Sequence, residues 1–317
     1  MRYSFDLRRE LPLGIDIGTS KLRMTFARAH ETGVCVEAVT SRDREHGFDD
    51  DWLCAMIEEM RDDLGARTRS CAMALTSQEA TVDLLSLPNL SYRDRTAAAH
   101  IEAQRRHSDG QRRLIRLFST GRSGAYLLVT APLASIELRK TMAARAGLRL
   151  VSLSVEGLTW NRFASQDVSV VDVGVESTRI HGSRNGTPTV EVFPLGGKAV
   201  TMEMAGALGI DERVAEKRKR ILGLSGVGER LLASLVEWIC ERLEKTDGNR
   251  PTGVMLVGNG SRLPELHRLL AERLSQRTWR TACSQLERSR YPEDIRRAAF
   301  ADWALSIALT SSAAGTL

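Results

Sequence analysis

The sequence predicts an α/β protein with two lobes and a small inserted strand–helix unit. Its 317 residues exceed what a single small core organises, which favours two domains or one lobed domain with insertions. Strand-like and helical apolar patterns alternate along the chain. A mixed unit near residues 71–150 interrupts this series, and the earlier pattern resumes after it. We therefore expect the unit to be an insertion.

The first segment contains two strand regions and one helix. Residues 12–28 and 33–41 have strand character, and the polar–apolar alternation of 23–28 has the period of a strand. Residues 49–64 have apolar side chains at helical spacing and begin with three aspartates, which favour a helix N-terminus.

The insertion is predicted to contain both strands and helices. Ser91 is a typical N-cap and Gly147 a typical helix end. Its predicted strands are 71–76, 81–87, 113–118, 125–131 and 148–155, and its predicted helices are 91–106 and 134–146.

The remaining segment is predicted to alternate strands with helices. Asn185 and Gly186 form a strong two-residue hairpin signal. The predicted strands are 168–173, 179–183, 189–194 and 253–257. The predicted helices are 157–165, 199–208, 211–221, 226–246, 264–274 and 292–309.

Composition excludes several classes of protein. No apolar run is long enough to span a bilayer, and the N-terminal stretch lacks the apolar core of a signal peptide, so we expect a cytoplasmic protein without membrane insertion. Five scattered cysteines without a CxxC pair indicate reduced thiols. The net charge of +5 is concentrated in arginine-rich stretches at 93–116 and 213–220. Aromatics do not interleave with them, which favours solvated helix faces over nucleic-acid binding.

One short stretch, LGIDIGTSKLRMT at residues 13–25, has two interpretations. Taken alone it favours an ordinary turn between strands, because Gly tolerates positive φ and Asp and Ser bond nearby backbone amides. The alternative is a phosphate-binding hairpin, in which the turn Gly18–Lys21 folds around an anion.

Repetition favours the second interpretation. The order strand, Asp, x, Gly, hydroxyls, strand recurs in VVDVGVESTRIHGSRNG, and a third turn, GNG, follows a buried strand and precedes a helix. Facing turns can clamp nucleotide phosphates through backbone N–H groups. The carboxylates of Asp16 and Asp172 could then hold Mg²⁺ through its waters. The third turn would close over the nucleoside.

The order of these motifs resembles the actin-like ATPase superfamily. Residues 13–23 and 170–181 resemble its two phosphate motifs, and 254–264 resembles its adenosine motif. Within the superfamily the chain resembles the PilM family of type IV pilus assembly proteins over nearly its whole length, with the FtsA division family as a cousin. The segments that carry this likeness are LLSLPNLSYRDRTAAAHIEAQRR, AYLLVTAPLASIELRKTMAARAGLRLVSLSVEGL and VFPLGGKAVTMEMAGALGIDERVAEKRKR.

The resemblance implies the actin-like, duplicated ribonuclease H-like α/β fold and a division of the chain. The first lobe would comprise 1–70, completed by 151–167 and 295–317; the inserted subdomain 71–150; the second lobe 168–195 and 251–294; and a helical nucleotide-side subdomain 196–250.

The resemblance also implies ATP and Mg²⁺ as ligands. Glu156 matches the residue that orients the attacking water, although an ordinary helix N-terminal acid is an open alternative. Asp16 and Asp172 would face the metal. The implied cofactor-binding residues are Asp16, Gly18, Thr19, Ser20, Lys21, Asp172, Gly174, Ser177, Thr178, Gly196, Gly197, Glu216, Lys219, Gly258, Asn259, Gly260, Ser261 and Arg262. Glu216 and Lys219 also suit an ordinary i, i+3 pair, and Lys21 a solvated strand position.

Three residues depart from the family pattern. Glu176 lies inside the second phosphate turn, where a carboxylate repels phosphate unless it meets the metal. Lys198 follows the double glycine, and Arg218 interrupts the AExxK run. These departures count against tight ATP binding and more strongly against hydrolysis, so at most a weak ATPase is expected.

The family resemblance implies a partner as well. The protein would dock the N-terminal cytoplasmic peptide of a PilN-like inner-membrane protein, in a groove between the insertion and the first lobe, beside other pilus or secretion platform proteins. It would be recruited to the inner face of the inner membrane.

Two alternatives stay open: a pseudo-ATPase scaffold that binds no nucleotide, and an FtsA-like division protein. The FtsA alternative requires a C-terminal amphipathic helix, and ALSIALTSSAAGTL lacks that basic–apolar pattern. A small-molecule kinase would need a catalytic Asp base, for which the sequence offers no strong candidate.

Overall fold

The computed structural model describes three sheets, of five, four and three strands, with helices between and around them. The described residues are 9–30, 33–44, 49–164, 168–184, 187–224, 226–244, 253–274 and 302–314. Within these ranges, no helix combines the length and the apolar character that crossing a bilayer requires.

The elements follow the predicted order closely. The strands are β1 (Leu13–Ile17), β2 (Lys21–His30), β3 (Gly33–Asp43), β4 (Ser70–Leu75), β5 (Thr81–Ser86), β6 (Arg113–Ser119), β7 (Ala125–Pro132), β8 (Arg149–Val155), β9 (Val168–Val173), β10 (Thr178–Arg184), β11 (Thr187–Phe193) and β12 (Gly253–Val257). The helices are α1 (Asp50–Asp63), α2 (Tyr92–Arg106), α3 (Leu133–Arg145), α4 (Glu156–Phe163), α5 (Gly197–Leu208), α6 (Glu212–Leu222), α7 (Glu229–Glu244), α8 (Pro264–Arg273) and α9 (Ala304–Ala314).

Several predicted helix starts are confirmed by their caps. Asp49 accepts a hydrogen bond from the backbone N–H of Trp52, and Ser91 accepts one from that of Asp94. These side chains satisfy donors that an isolated helix terminus leaves unpaired. The predicted hairpin at Asn185 lies outside the described residues, as does the part of the last predicted helix before residue 302.

The five-stranded sheet of the first lobe has the order β3-β2-β1-β4-β8. The antiparallel β1 and β2 present apolar side chains to α1 and α3, which cover one face. This core includes Ile15, Met24, Ile57 and Met142, all with at most 2% of their surface exposed.

The boundary of the insertion needs a correction. Residues 71–150 were predicted to form the inserted unit, which would include β4 and the start of β8, but β4 pairs in parallel with both β1 and β8. The inserted sheet is therefore the three-stranded one, of order β5-β7-β6, with α2 on one face. Because parallel strands are covered on both faces, the sequence of β4 is a short apolar run that does not indicate which sheet the strand joins.

The second lobe is built on the sheet β11-β10-β9-β12. Helices α5 to α8 pack against it around a core that includes Val171, Met204, Leu235 and Leu256. The central layer between the two larger sheets is formed by α4 and α9 together with their apolar side chains, Trp160, Phe163 and Ile307 among them.

Helix α9 lies directly on β1. A Cβ atom on Gly14 would overlap the carbonyl oxygen of Ser306, so only glycine permits this approach. Thr310 Oγ1 donates a hydrogen bond to the carbonyl of Pro12 at 2.5 Å, and the hydroxyls of Thr25 and Ser306 lie 2.7 Å apart. The helix thereby fixes the strand whose end carries Asp16.

Candidate functional site

A polar cleft lies between the lobes, where β1, β9 and β12 end. It contains about 600 Å³ of empty space, which includes open solvent at its mouth. Its lining residues are Asp16, Gly18, Thr19, Ser20, Arg23, Glu156, Trp160, Asp172, Gly174, Val175, Arg179, Val257, Gly258, Asn259, Asp302 and Leu305.

Two hairpins of the same construction face this cleft. In the first, the Gly18 N–H donates to the carbonyl of Lys21 at 2.9 Å; in the second, the Gly174 N–H donates to the carbonyl of Ser177 at 3.0 Å. Both turns follow a strand that ends just after an aspartate. The internal repeat seen in the sequence is therefore a repeat of backbone structure.

Each aspartate has an arginine opposite it on the neighbouring strand. Asp16 pairs in register with Arg23, and Asp172 pairs in register with Arg179. Arg23 Nη1 donates to Asp16 Oδ2 at 3.2 Å, whereas Arg179 Nη1 lies 3.7 Å from Asp172 Oδ2. The second contact is an ion pair without a hydrogen bond in the structure, because it exceeds hydrogen-bond distance.

Arg23 also joins the two lobes. Its Nη2 donates a hydrogen bond of 3.0 Å to Asn259 Oδ1, in the 3₁₀ turn Asn259–Arg262 of the second lobe. Its Nε is buried without a partner among the described residues, as is the Nε of Arg179. Arg179 makes no hydrogen bond within that part of the chain, and it is one of the residues that line the cleft.

Burial governs the protonation of the acidic side chains. Burial raises the pKa of Asp16, and the charge of Arg23 opposes the rise. Burial likewise raises the pKa of Asp172, with Arg179 opposing it and Asp16 adding to it. These carboxylates lose solvation in the cleft floor and recover part of that loss from their arginines.

Glu156 stands at the N-terminus of α4 and lines the same cleft. Its Oε2 accepts a hydrogen bond from the backbone N–H of Ser77 at 3.2 Å. Burial raises its pKa to about 7; Arg179 opposes this rise, while Asp172 and Asp16 add to it. A carboxyl group with a pKa near neutrality can exchange a proton under physiological conditions.

Glycines allow the three turns to touch. A Cβ on Gly258, whose φ is +81°, would overlap Asp172 Oδ1, and one on Gly260 would overlap the side chain of Val173. A Cβ on Gly196 would lie 2.5 Å from the carbonyl oxygen of Val175. The close approach required at these three sites explains why the sequence has glycine there.

The structure brings together part of the predicted site. The predicted residues that line the cleft are Asp16, Gly18, Thr19, Ser20, Glu156, Asp172, Gly174, Gly258 and Asn259. Three predicted glycines, Gly196, Gly197 and Gly260, are not among the lining residues but pack against the second turn. The Gly197 N–H donates to the carbonyl of Gly174 at 2.9 Å.

Other predicted residues point elsewhere. Lys21 Nζ lies 3.1 Å from Asp43 across the sheet, and Arg262 is paired with Asp302 at 2.9 Å. Thr178 Oγ1 donates to the carbonyl of Leu195 at 2.9 Å. Ser177 is buried, and Ser261 Oγ donates to the carbonyl of Gly258 at 2.6 Å. These five residues are not among those that line the cleft.

Glu216 and Lys219 form a compact internal cluster. Lys219 Nζ donates to the carbonyl of Gly197 at 2.8 Å, to Thr201 Oγ1 at 2.6 Å and to Glu216 Oε2 at 2.6 Å. An ammonium group has three donors, so all of them are used within the protein. The cluster ties α6 to the start of α5 and lies outside the cleft lining.

The three departures from the family pattern face solvent. Glu176, Lys198 and Arg218 are all exposed, and none of them lines the cleft. Glu176 was predicted to repel phosphate; its exposure reduces that repulsion because the solvent screens the charge.

Sequence reasoning missed the two arginines. Arg23 follows Asp16 by seven residues, and Arg179 follows Asp172 by the same spacing. This repeat was visible in the two quoted segments, but each arginine looked like an ordinary strand residue. Trp160, Asp302 and Leu305 were also missed, and for these the sequence carries no local signal.

The arginines bear directly on magnesium. Asp16 and Asp172 were predicted to hold Mg²⁺, a role that requires carboxylates whose charge is available to the cation. Each already has a guanidinium beside it, and a dication here would meet two positive charges. The residues present therefore do not fit the predicted magnesium site.

Comparisons with known proteins identify the fold. The sequence matches no protein-family model and no curated protein. Among solved structures, the chain is similar to one from the PilM–PilN type IV pilus biogenesis complex, with a TM-score of 0.79 and 21% identity over 95% of this chain and 98% of that one. It is also similar to the ethanolamine utilization protein EutJ from Carboxydothermus hydrogenoformans, with a TM-score of 0.59 and 16% identity over 95% and 90% of the two chains.

These similarities show that the chain has the actin-like ATPase fold, as the sequence predicted. The suspected likeness to PilM is confirmed at the level of the fold.

Proposed function

We propose that this protein is an actin-like assembly factor of a type IV pilus or a related secretion or uptake machine. The observation that carries the proposal is the likeness to a chain of the PilM–PilN complex over nearly the full length of both chains. The protein would work in the cytoplasm, at the inner face of the inner membrane, beside other proteins of the pilus or secretion platform.

The proposed partner is the N-terminal cytoplasmic peptide of a PilN-like inner-membrane protein. The inserted sheet offers an apolar surface for it. Leu84, Leu127 and Phe118 lie opposite one another on β5, β7 and β6, on the face that α2 does not cover. Leu84 and Phe118 keep 48% and 50% of their surface exposed.

This apolar row continues into the junction with the first lobe. Val82 and Val129, on the same face, pack against a buried cluster that includes Val155 of β8. A peptide laid along the row would therefore contact both the insertion and the first lobe, which supports the groove proposed from the sequence.

The cleft is proposed to bind ATP as a conformational latch between the lobes. The facing glycine turns and the lining arginines provide donors for phosphate oxygens. Hydrolysis would be weak at most. Glu156 would be the residue that orients the attacking water, since it is the predicted acid that lines the cleft near both aspartates.

Peptide binding tests the assembly role. A synthetic peptide that copies the cytoplasmic segment of the PilN-like protein encoded in the same genome should bind the purified chain at micromolar concentration in a fluorescence-anisotropy titration. Absence of binding at high micromolar peptide, with protein shown to be folded by circular dichroism, would contradict the proposal.

Two variants locate the binding surface. Leu84→Asp places a charge in the apolar row and should weaken peptide binding by about tenfold or more, since burying an unpaired charge is costly. The matched control is Ile221→Asp on α6, because Ile221 is also exposed, at 68%, but belongs to the other lobe. Equal losses in both variants would argue against this docking surface.

A scaffold that binds no nucleotide is the second candidate function. It is favoured by the hydrogen bond from Arg23 to Asn259, which joins the lobes directly through protein side chains. In that case peptide binding would persist while ATP binding would be absent.

A further inference from the structure

The floor of the cleft carries its own positive charges. Arg23 and Arg179 lie against the two aspartates at equivalent positions of the repeated hairpins. Both arginines line the cleft. The two positive charges balance Asp16 and Asp172 without any metal ion.

Arg179 is the arginine more available to an anion, because Arg23 already donates to Asp16 and Asn259. Arg179 has no hydrogen-bond acceptor among the described residues, and the Nε atoms of both side chains are buried without partners there. A buried guanidinium with uncommitted donors is costly unless an acceptor joins it. Phosphate oxygens are suitable acceptors, because guanidinium–phosphate pairs form two parallel hydrogen bonds.

The turns beside the arginines supply further donors. In the described part of the chain, the backbone N–H groups of Thr19 and Ser20 make no hydrogen bond, and both residues line the cleft. Val175, at the equivalent place in the second turn, likewise lines it. Cationic and backbone donors therefore converge from both hairpins.

We propose that Arg23 and Arg179 take the place of a divalent cation, and that the cleft binds the polyphosphate of a nucleoside triphosphate without magnesium. This inference rests on the proposed nucleotide role of the cleft. A magnesium ion would bridge carboxylate and phosphate oxygens, and the guanidinium of Arg179, beside Asp172, can make that bridge with its own donors.

Calorimetric titration with ATP tests the proposal. We expect binding in buffer that contains EDTA, and a loss of affinity of about tenfold when excess MgCl₂ replaces EDTA, because the metal competes for the phosphate oxygens. Inorganic tripolyphosphate in a parallel titration shows whether the phosphates alone suffice or the nucleoside is needed. Binding that requires magnesium would overturn the inference while leaving the nucleotide role intact; no binding by folded protein under either condition would overturn both.

Arginine variants assign the effect to the cleft. Arg179→Gln should weaken metal-free ATP binding by about tenfold or more. The double variant Asp172→Asn with Arg179→Gln removes both charges together and should show the same loss even if the single variant folds poorly. The matched control is Arg28→Gln, since Arg28 lies on the same strand as Arg23 but is paired with Glu10 outside the cleft. Unchanged affinity in the double variant, or an equal loss in the control, would refute the proposed role.

Discussion

Replacing Glu156 with glutamine should change how stability depends on pH. Glu156 keeps only 7% of its surface exposed, and burial raises its pKa from 4.5 to about 7. The folded protein therefore holds this proton more tightly than the unfolded chain does. Between pH 4.5 and 7 the free energy of unfolding must fall as pH rises, because the unfolded chain releases this proton while the folded state still holds it.

The size of the effect follows from the shift. Each pKa unit corresponds to about 1.4 kcal/mol, so this one carboxyl group lowers the free energy of unfolding by about 3 kcal/mol across the window. The amide of Glu156→Gln does not titrate. The free energy of unfolding of the variant, relative to that of the wild type, should increase as pH rises from 4.5 to 7. Above pH 7 the difference between the two free energies should be constant.

Urea denaturation followed by tryptophan fluorescence at pH 5, 6, 7 and 8 measures this difference. Trp160 lines the cleft and is one of the five tryptophans whose fluorescence follows the unfolding of the chain. Glu137→Gln is the matched control, because Glu137 is an exposed residue of α3 outside the cleft. A difference between Glu156→Gln and wild type that is the same at every pH would refute the assignment of a raised pKa to this residue.

Three further predictions concern the elements around the site. Gly14→Ala forces a Cβ into the carbonyl of Ser306 and should lower the free energy of unfolding by about 2 kcal/mol or more, measured by urea denaturation. Burial lowers the pKa of His181 to about 3, so the free energy of unfolding of the wild type should fall as pH falls below 6.5. His181→Leu should lessen that loss, which would be measured as a smaller drop in melting temperature at pH 4.5. Lys219→Ala removes the donor that the Gly197 carbonyl, Thr201 and Glu216 share, and should lower the free energy of unfolding by about 2 kcal/mol with no change in ATP affinity by calorimetry; weaker ATP binding at unchanged stability would instead favour an adenine-side role.

Local patterns predicted the elements but not all of their partners. The caps at Asp49 and Ser91 and the apolar period of α1 lie within one segment, so the sequence alone places these helices. Membership of a sheet depends on pairing between distant strands. Nothing within Ser70–Leu75 indicates that β4 pairs with β1 and β8 rather than with the inserted sheet.

The site residues likewise divide into those with a local sequence signal and those that depend on pairing between strands. Asp16 and Asp172 were found because each stands beside a glycine turn in its own hairpin. Their arginine partners depend on the register between strands, which a single-strand pattern does not reveal. The i, i+3 pair of Glu216 and Lys219 was one of the predicted alternatives, because both residues lie within one helical turn. The contacts of Lys219 with Gly197 and of Lys21 with Asp43 could not be predicted, since they depend on what lies across from each lysine after folding.

The position of helix α9 has a consequence for the order of folding during synthesis. Its contact between Thr310 and Pro12 spans 298 residues of sequence, whereas the second-lobe core is assembled from residues 171 to 274. At ribosomal rates of about 5 to 20 residues per second, β1 waits about 15 to 60 s for the helix that covers it. The first lobe to leave the ribosome is therefore the last to be completed. During that interval the apolar surface around Gly14 is a natural site for chaperone binding.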